Sequence, residues 1–211
     1  QDDENATFVS KAFVTALKAR VALYRKQYAT ADGFAQELLA DFPIVGRAAY
    51  ANIFTDVGTD GVIFKLERTI GDRYDGQGAT GSAAAGGWVG ANFAFVNASV
   101  DGSPYFEMGR SLFNLLDPDD IRYDVNVHPS SVVDPDYANS ASPRTTDILA
   151  IGKYTGSEGQ PLMNDLKIFR SAEFLLMRAE VAAANNNLVA AAGFIKQLRD
   201  ARFTAAQPLP V

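Results

Sequence analysis

The chain has 211 residues, with 25 acidic and 19 basic side chains, one histidine and no cysteine. This length can bury one good hydrophobic core. The acidic balance argues against a nucleic-acid partner, and the lack of cysteine excludes disulfides, a thiolate nucleophile and a cysteine-type metal site within this chain. An apolar run of about 18 residues, the length that crosses a bilayer as a helix, is also absent.

Residues 8–41 have the apolar spacing of two antiparallel helices. The first helix is predicted to present a stripe made of Ala12, Ala16, Ala19 and Leu23, with Phe13 and Leu17 beside it. Tyr28-Ala29-Thr30 is predicted to end that helix. The apolar positions of its partner are Phe34, Ala35, Leu38 and Leu39. Asp41-Phe42-Pro43 closes the unit, because proline is a normal helix stop.

The first helix carries only basic charges, at Lys11, Lys18, Arg20, Arg25 and Lys26. A phosphate-binding stripe is one interpretation of this pattern. A solvated face, whose long side chains cover the repeat, is the favoured one.

Residues 56–67 have the spacing of a calcium loop. Asp56, Asp60 and Glu67 would occupy ligand positions one, five and twelve, with Gly61 at the turn. Position three is Gly58, which has no side-chain oxygen. Coincidence is therefore the favoured explanation, and no metal or cofactor is predicted.

Glycines crowd residues 75–91, which is the signature of a loop. Gly76, Gly78 and Gly81 formally match a dinucleotide fingerprint, but no buried strand precedes them and no helix follows. A loop-rich insertion is therefore predicted.

The same stretch contains the side-chain types that bind sugars. Sugars present apolar C–H faces and many hydroxyls, so a site for them needs exposed aromatic rings and paired hydrogen-bonding groups. The predicted ligand-binding residues are Trp88, Tyr74, Asn92, Tyr105, Arg73 and Asp101. The alternative is that the aromatic residues fill a small core. That alternative is favoured for Phe93 and Phe95 and is left open for Trp88.

No catalytic motif follows in the next stretch. The acidic run at Asp117, Asp119, Asp120, Asp124, Asp134 and Asp136 is interpreted as turn formers, with Asp120 expected to pair with Arg122 or to cap a helix. His128 stands beside Ser130 and Ser131, but residues so close in sequence rarely meet in catalytic-triad geometry, and the Gly-x-Ser-x-Gly pattern is missing. No pair of carboxylates is singled out for glycoside hydrolysis. A non-catalytic protein is therefore predicted.

A second antiparallel helix pair is predicted at residues 167–203. The stripe of its first helix is Ile168, Ala172, Leu175, Ala179 and Ala182. Asn185-Asn186-Asn187 breaks the helix, and Asn187 is the predicted N-cap of the next one. The second stripe is Leu188, Ala191, Ala192, Ile195 and Leu198. The two predicted pairs have the length of tetratricopeptide units, which bury their faces by stacking, and we expect them to dock side by side.

Five blocks, in order and rough spacing, carry a resemblance to the SusD/RagB family of outer-membrane nutrient-binding lipoproteins. They are residues 10–24 with Tyr28 and Ala31, Tyr50 with 53–54 and 61–66, Asp120-Ile121-Arg122-Tyr123, Gly152-Lys153-Tyr154 with Asn164-Asp165, and Arg170 to Glu180. One departure is Gly61, where the family usually has an acidic residue. The resemblance covers most of residues 7–203.

This resemblance implies a mainly α, SusD-like α/α fold with tetratricopeptide-like helix pairs as the scaffold. It divides one domain, 1–211, into a first helical repeat region (7–70), a loop-rich insertion that binds ligand (71–160) and a second helical repeat (161–205). The precursor is expected to extend beyond both ends of this sequence.

The function implied is non-catalytic capture of an oligosaccharide or other nutrient at the cell surface. The ligand would pass to a SusC-like TonB-dependent transporter, and an N-terminal lipid anchor outside this sequence would hold the protein on the outer membrane. A tetratricopeptide protein–protein scaffold is the alternative, followed by a glycoside hydrolase.

Overall fold

The structure is a computed structural model that describes residues 6–69, 107–154, 156–157, 160–161 and 164–210. The helices in chain order are α1 (Lys11–Tyr24), α2 (Tyr28–Asp41), α3 (Arg47–Tyr50), α4 (Arg110–Phe113), α5 (Ile121–Asn126), α6 (Pro143–Thr146), α7 (Ser171–Ala184) and α8 (Leu188–Asp200). The strands are β1 (Val62–Leu66), β2 (Gly156–Ser157), β3 (Gln160–Pro161) and β4 (Leu166–Arg170), and short 3₁₀ turns lie at Ala51–Ile53 and Tyr137–Asn139. The fold is mainly α, as predicted.

The described residues belong to two compact units. One contains residues 6–53, 58–67 and 165–210, and the other contains residues 54–57, 68–69 and the described parts of 107–164. The first unit holds both helical hairpins with α3, β1 and β4, and the second holds α4, α5, α6, β2 and β3.

The two hairpins dock side by side, which confirms the expectation drawn from their spacing. Helix α1 packs on α2, α2 packs on α7, and α7 packs on α8. Small side chains let the first of these pairs approach closely, since Ala16, Ala19, Ala31 and Ala35 are completely buried. The result is a four-helix layer in which α2 and α7 are the inner members.

The predicted end of α1 is wrong. Tyr28 begins α2, and the loop consists of Arg25, Lys26 and Gln27. Lys26 adopts a left-handed conformation with φ 57°. The backbone N–H groups of Lys26 and Gln27 then donate to the carbonyls of Leu23 and Ala22, at 2.8 and 2.9 Å. These hydrogen bonds satisfy carbonyl groups at the end of α1. The loop does this without glycine, asparagine or proline, which usually mark the end of a helix.

The second hairpin has the predicted loop, Asn185–Asn187. Asn187 is the N-cap of α8, because its side-chain oxygen accepts from the backbone N–H of Ala190 at 3.2 Å. At the far end, Asp200 accepts from the backbone N–H of Gln207 at 2.7 Å and pairs with Lys196. These two hydrogen bonds, the Gln207 bond first, lower the pKa of the Asp200 carboxyl.

Residues 167–170, predicted to begin a helix, belong instead to the strand Leu166–Arg170. Strand β4 pairs antiparallel with β1, and Phe64 lies opposite Phe169 in this pairing. Ile168 therefore belongs to a sheet, and α7 starts at Ser171. The pairing with β1 overrides the apolar spacing that favoured a helix.

The predicted stripes are only partly correct. Leu17 is exposed, and Ala172 and Ala182 are half-buried. The predicted stripe also omits Phe174, Met177 and Val181, which are all buried in α7. In α8, no residue is fully buried, so its predicted stripe is only half covered.

An aromatic cluster joins the sheet to the helices. The Phe13 ring lies edge-on to Phe64 at 4.5 Å and to Phe169 at 5.7 Å, measured between ring centroids. Phe174 is completely buried and lies 6.2 Å from Phe169. Edge-to-face contacts of this kind add to the free energy of burial.

Gly61 has a steric reason to be glycine. Its φ is +66°, and a Cβ atom at this position would lie 2.5 Å from Val45 Cγ2 and 2.7 Å from Ser171 Oγ. A larger residue there would be strained and would clash with the start of α7. The positive φ and the close neighbours therefore favour glycine at position 61, where the sequence departs from the family pattern.

The second unit has a small core of its own. Single β-bridges connect Glu107 to Ala150, Val127 to Ile151 and Val132 to Ile148. Met108, Val127 and Leu149 are buried between them.

None of the described helices is long and apolar enough to cross a membrane.

Candidate functional site

The predicted sugar-binding residues lie outside the described part of the chain. Trp88, Tyr74, Asn92, Tyr105, Arg73 and Asp101 all fall within residues 70–106, as do Phe93, Phe95 and the glycine-rich run. Their placement stays a prediction. Among the described residues, the first unit contains a groove and the second contains several polar side-chain contacts.

A groove of about 420 Å³ opens between α1, β4 and α7 in the first unit. Both polar and apolar side chains line it: Arg20, Leu23, Tyr24, Lys167, Ile168, Arg170, Ala172, Glu173, Leu176, Met177 and Glu180. Much of its wall comes from the block of residues 170–180 that carries the family resemblance. Tyr24 stands at its edge with 80% of its surface exposed.

Arg20 lines this groove and is paired with Glu173. Its Nε and Nη2 atoms donate to the two carboxylate oxygens of Glu173 at 2.7 and 2.8 Å, and Nη2 also donates to the carbonyl of Ile168 at 2.9 Å. The guanidinium stacks on the Phe169 ring at 4.1 Å. The hydrogen bonds with Glu173 raise the pKa of Arg20. Arg20 therefore fastens α1 to β4 and α7, and its charge is already matched.

Arg110 lies in a cluster of polar and aromatic side chains in the second unit. Arg110 stacks on Tyr137 at 4.1 Å and lies 5.0 Å from the Phe113 ring. Its Nη1 atom donates to Asp147 at 2.7 Å, and its buried Nε has no hydrogen-bond partner. Asp147 also accepts from the backbone N–H of Asp134 at 3.0 Å. This cluster joins α4 to the loop at residues 134–147 and is structural.

The acidic run serves turns and caps, as predicted. Asp120 caps α5, accepting from the backbone N–H of Arg122 at 2.8 Å, and also pairs with the Arg122 guanidinium. Asp117 and Asp134 each accept from the backbone two residues ahead, which is the hydrogen bond of an Asx turn. The described residues contain no group of three acidic or histidine side chains arranged to hold a metal ion.

His128 and Ser130 are in contact, but not in the geometry of a catalytic triad, in which the serine hydroxyl lies against Nε2. Ser130 Oγ lies 2.7 Å from His128 Nδ1, and the backbone N–H of Ser130 donates to the same nitrogen at 3.1 Å. Because Nδ1 is the acceptor, the neutral imidazole carries its hydrogen on Nε2. Ser130 is exposed and His128 is half-buried, and no described carboxylate accepts from Nε2 to orient the ring. The pair is a local turn contact and lacks the third member of a catalytic triad.

Known proteins resemble this chain in fold and only weakly in sequence. No protein-family model matches the sequence, and no curated protein matches it. Solved structures do match, among them a SusD superfamily protein from Bacteroides thetaiotaomicron, with a TM-score of 0.69 and 20% identity. The alignment covers 97% of this chain and 44% of that one. This chain has the SusD-like fold.

Two further SusD-like matches extend over almost the whole chain. A SusD-like carbohydrate binding protein from Bacteroides vulgatus has a TM-score of 0.61 at 16% identity, over 97% of this chain and 40% of that one. Surface glycan-binding protein A from B. thetaiotaomicron, in complex with laminarihexaose, has a TM-score of 0.63 at 18% identity. That alignment covers 100% of this chain and 51% of the other. The chain therefore spans about half the length of the SusD-like structures that it matches.

The SusD-like fold confirms the architecture that the sequence resemblance implied. The features that sequence reasoning missed are the strand β4, the stacked Arg110 and the contact between His128 and Ser130. Only the last had a local signal, since a serine two residues after a histidine is within reach of its Nδ1.

Proposed function

We propose that this chain belongs to a non-catalytic surface protein that captures an oligosaccharide. The observation that carries the proposal is the SusD-like fold, which runs over 97–100% of the chain in matches to a carbohydrate binding protein and to a glycan-binding protein holding laminarihexaose. In this proposal the helical hairpins form the scaffold, and ligand binds to the loop-rich insertion.

The proposed contacts are those that the sequence predicts. Trp88, Tyr74 and Tyr105 would stack against the apolar faces of sugar rings. Asn92, Asp101 and Arg73 would hydrogen-bond to the hydroxyls. The second part of the proposal is that the captured ligand passes to a SusC-like TonB-dependent transporter, with the protein anchored to the outer membrane by an N-terminal lipid.

Titration calorimetry of the 211-residue chain against a panel of oligosaccharides, laminarihexaose included, tests the binding proposal. We expect saturable binding without release of reducing ends. Trp88→Ala should weaken it by about 5–30-fold, the equivalent of about 1–2 kcal/mol for one stacked ring. Trp88→Phe, which keeps a ring, should lose less.

Phe8→Ala is the matched control, because Phe8 is an exposed aromatic residue ahead of α1 and does not line the groove. It should leave sugar affinity unchanged. Failure of every sugar to bind the folded chain would contradict the proposal, and release of reducing sugar would replace it with a hydrolase. Co-purification of the chain with a SusC-like transporter from the same organism tests the delivery step.

A further inference from the structure

Of the tyrosine and phenylalanine rings described in the second unit, only Tyr137 is exposed. It begins the 3₁₀ turn Tyr137–Asn139, and 36% of its surface is accessible to solvent. The other rings described in this unit are buried or half-buried: Phe54, Phe113, Tyr123 and Tyr154. Tyr137 also falls within residues 71–160, the insertion that is predicted to bind ligand, although it is not among the residues that the sequence predicts for that role.

Arg110 holds the Tyr137 ring from one side. Its guanidinium carbon lies 4.1 Å from the ring centroid. Arg110 is itself fixed, because Nη1 donates to Asp147 at 2.7 Å and Nη2 donates to the carbonyl of Asp134 at 3.3 Å. The exposed part of the ring therefore lies on the side away from Arg110. A ring that is already held in place loses little conformational freedom when a ligand packs on it.

Polar side chains with unused hydrogen-bonding capacity lie beside this ring. The Asn114 side-chain nitrogen is 3.4 Å from the Tyr137 hydroxyl. Asp136 precedes the ring, and its Oδ1 accepts from the side-chain nitrogen of Asn139 at 2.6 Å. Among the described contacts, the second carboxylate oxygen of Asp136 and the side-chain oxygens of Asn114 and Asn139 accept no hydrogen bond. Each of these oxygens can accept from a hydroxyl group.

We propose that Tyr137 is a stacking platform for one sugar ring of the captured oligosaccharide, and that Asn114, Asp136 and Asn139 hydrogen-bond to its hydroxyls. This site depends on the proposed function and adds a contact to it. A sugar ring has an apolar C–H face that packs on an aromatic ring, and its hydroxyls project from the edge. A fixed ring bordered by amide and carboxylate oxygens matches both parts of such a ligand.

The charge beside Tyr137 favours a neutral sugar. Asp134 and Asp136 form no ion pair with any described residue, whereas the charge of Arg110 is matched by Asp147. A sugar with carboxylate groups would therefore bring like charges together at this site. The ligand class is a neutral oligosaccharide, and a polymer of uronic acids is disfavoured.

A segment of protein fits this site less well as its occupant, whether it belongs to the same protein or to another. Packing against protein would take the Asp134 and Asp136 carboxylates out of water with no described cation to pair with them, which is unfavourable. A ligand rich in hydroxyls leaves these groups hydrogen-bonded to itself or to bridging water.

NMR titration of the folded 211-residue chain tests the site directly. The ring signals of Tyr137 are assigned by their loss in Tyr137→Phe. The probes are laminarihexaose, cellohexaose, maltohexaose, xylohexaose and, as the acidic sugar, hexagalacturonate. We expect at least one neutral probe to shift the Tyr137 signals in a saturable way, with the same Kd that calorimetry gives for that probe.

Calorimetry of variants measures what the ring contributes. Tyr137→Ala should weaken binding of the same neutral probe by about 2–10-fold, and Tyr137→Phe, which keeps the ring, should lose less. Val132→Ala is the matched control, because it removes an exposed apolar side chain from the same unit, and it should leave the affinity unchanged. Circular dichroism melting shows whether each variant is folded, so a loss of binding is not mistaken for unfolding.

The results that would overturn this site differ from those that would overturn oligosaccharide capture. If a probe binds but leaves the Tyr137 signals unmoved and binds Tyr137→Ala equally well, then Tyr137 is not a contact and capture still stands. If none of the probes binds the folded chain, both proposals are wrong. Binding confined to hexagalacturonate would overturn the assignment of a neutral ligand to Tyr137.

Discussion

The hairpin α1–α2 and the hairpin α7–α8 have the same backbone design and different sequences. Each has a three-residue loop whose middle residue, Lys26 or Asn186, is left-handed with φ near 60°. In each, the residue after it donates to a carbonyl five positions back, at 2.9 and 2.8 Å. The burial of the helices differs, since α1, α2 and α7 each contain buried residues and α8 contains none. The comparison shows that the geometry of the turn does not decide how deeply the helices of a hairpin are buried.

The same substitution in α7 and in α8 tests the difference in burial between these helices, and it has the largest expected effect. Phe174 of α7 is completely buried, whereas Phe194 of α8 is half-buried beneath Arg178. Phe174→Ala should lower the free energy of unfolding by about 3–5 kcal/mol, because it removes buried surface and leaves a cavity. Phe194→Ala should cost less than half of that. Urea denaturation of both variants measures the two values, and equal costs would mean that α8 is as well covered as α7.

Much of this helical layer could be predicted from the sequence, and the errors have physical causes. Alanine spacing marked the buried face of α1, and Asn185–Asn187 marked the second loop because asparagine competes for backbone hydrogen bonds. The first loop gave no such signal, since arginine, lysine and glutamine all favour helices. Strand β4 was missed because its partner β1 lies far away in the sequence, so no local pattern reveals the pairing.

The second test concerns the arginines that fasten one hairpin to the other. Arg20 makes three hydrogen bonds and stacks on Phe169, whereas Arg178 stacks on Phe194 but makes one hydrogen bond, to Asp32 at 2.8 Å. Lysine keeps the charge but lacks the planar fork. Arg20→Lys should therefore cost about 1 kcal/mol, a value already reduced because the ion pair is about one-third exposed, and Arg178→Lys about half as much.

Thermal melting of the two lysine variants measures this order. Lys18→Ala is the control, because Lys18 makes no ion pair with a described residue and its loss should be nearly neutral. If Arg178→Lys lowers stability more than Arg20→Lys does, then the contact of Arg178 with α2 contributes more to stability than the contacts of Arg20 with β4 and α7.

The site was less predictable than the scaffold. A sugar-binding surface depends on which loop residues are exposed together, and loops carry no periodic pattern that reports this. Residue types alone pointed to Trp88 and its neighbours, which remain a prediction. The Arg110 stack illustrates the same limit, since Phe113 is one turn away but Tyr137 reaches it from a distant segment.

The smallest effect tests the loops themselves. A left-handed conformation is strained for lysine and tolerated by asparagine, although the two loops share it. Lys26→Gly should therefore raise the free energy of unfolding by about 0.5–1 kcal/mol, the relief of strain exceeding the entropy that glycine adds to the unfolded chain. Asn186→Gly should gain less than about 0.5 kcal/mol. Arg25→Gly is the control in the same loop, because Arg25 has an ordinary φ of −81° and should lose stability when replaced. If Lys26→Gly is destabilising and Asn186→Gly is not, then the lysine side chain contributes to the first turn, and the two loops are alike in backbone only.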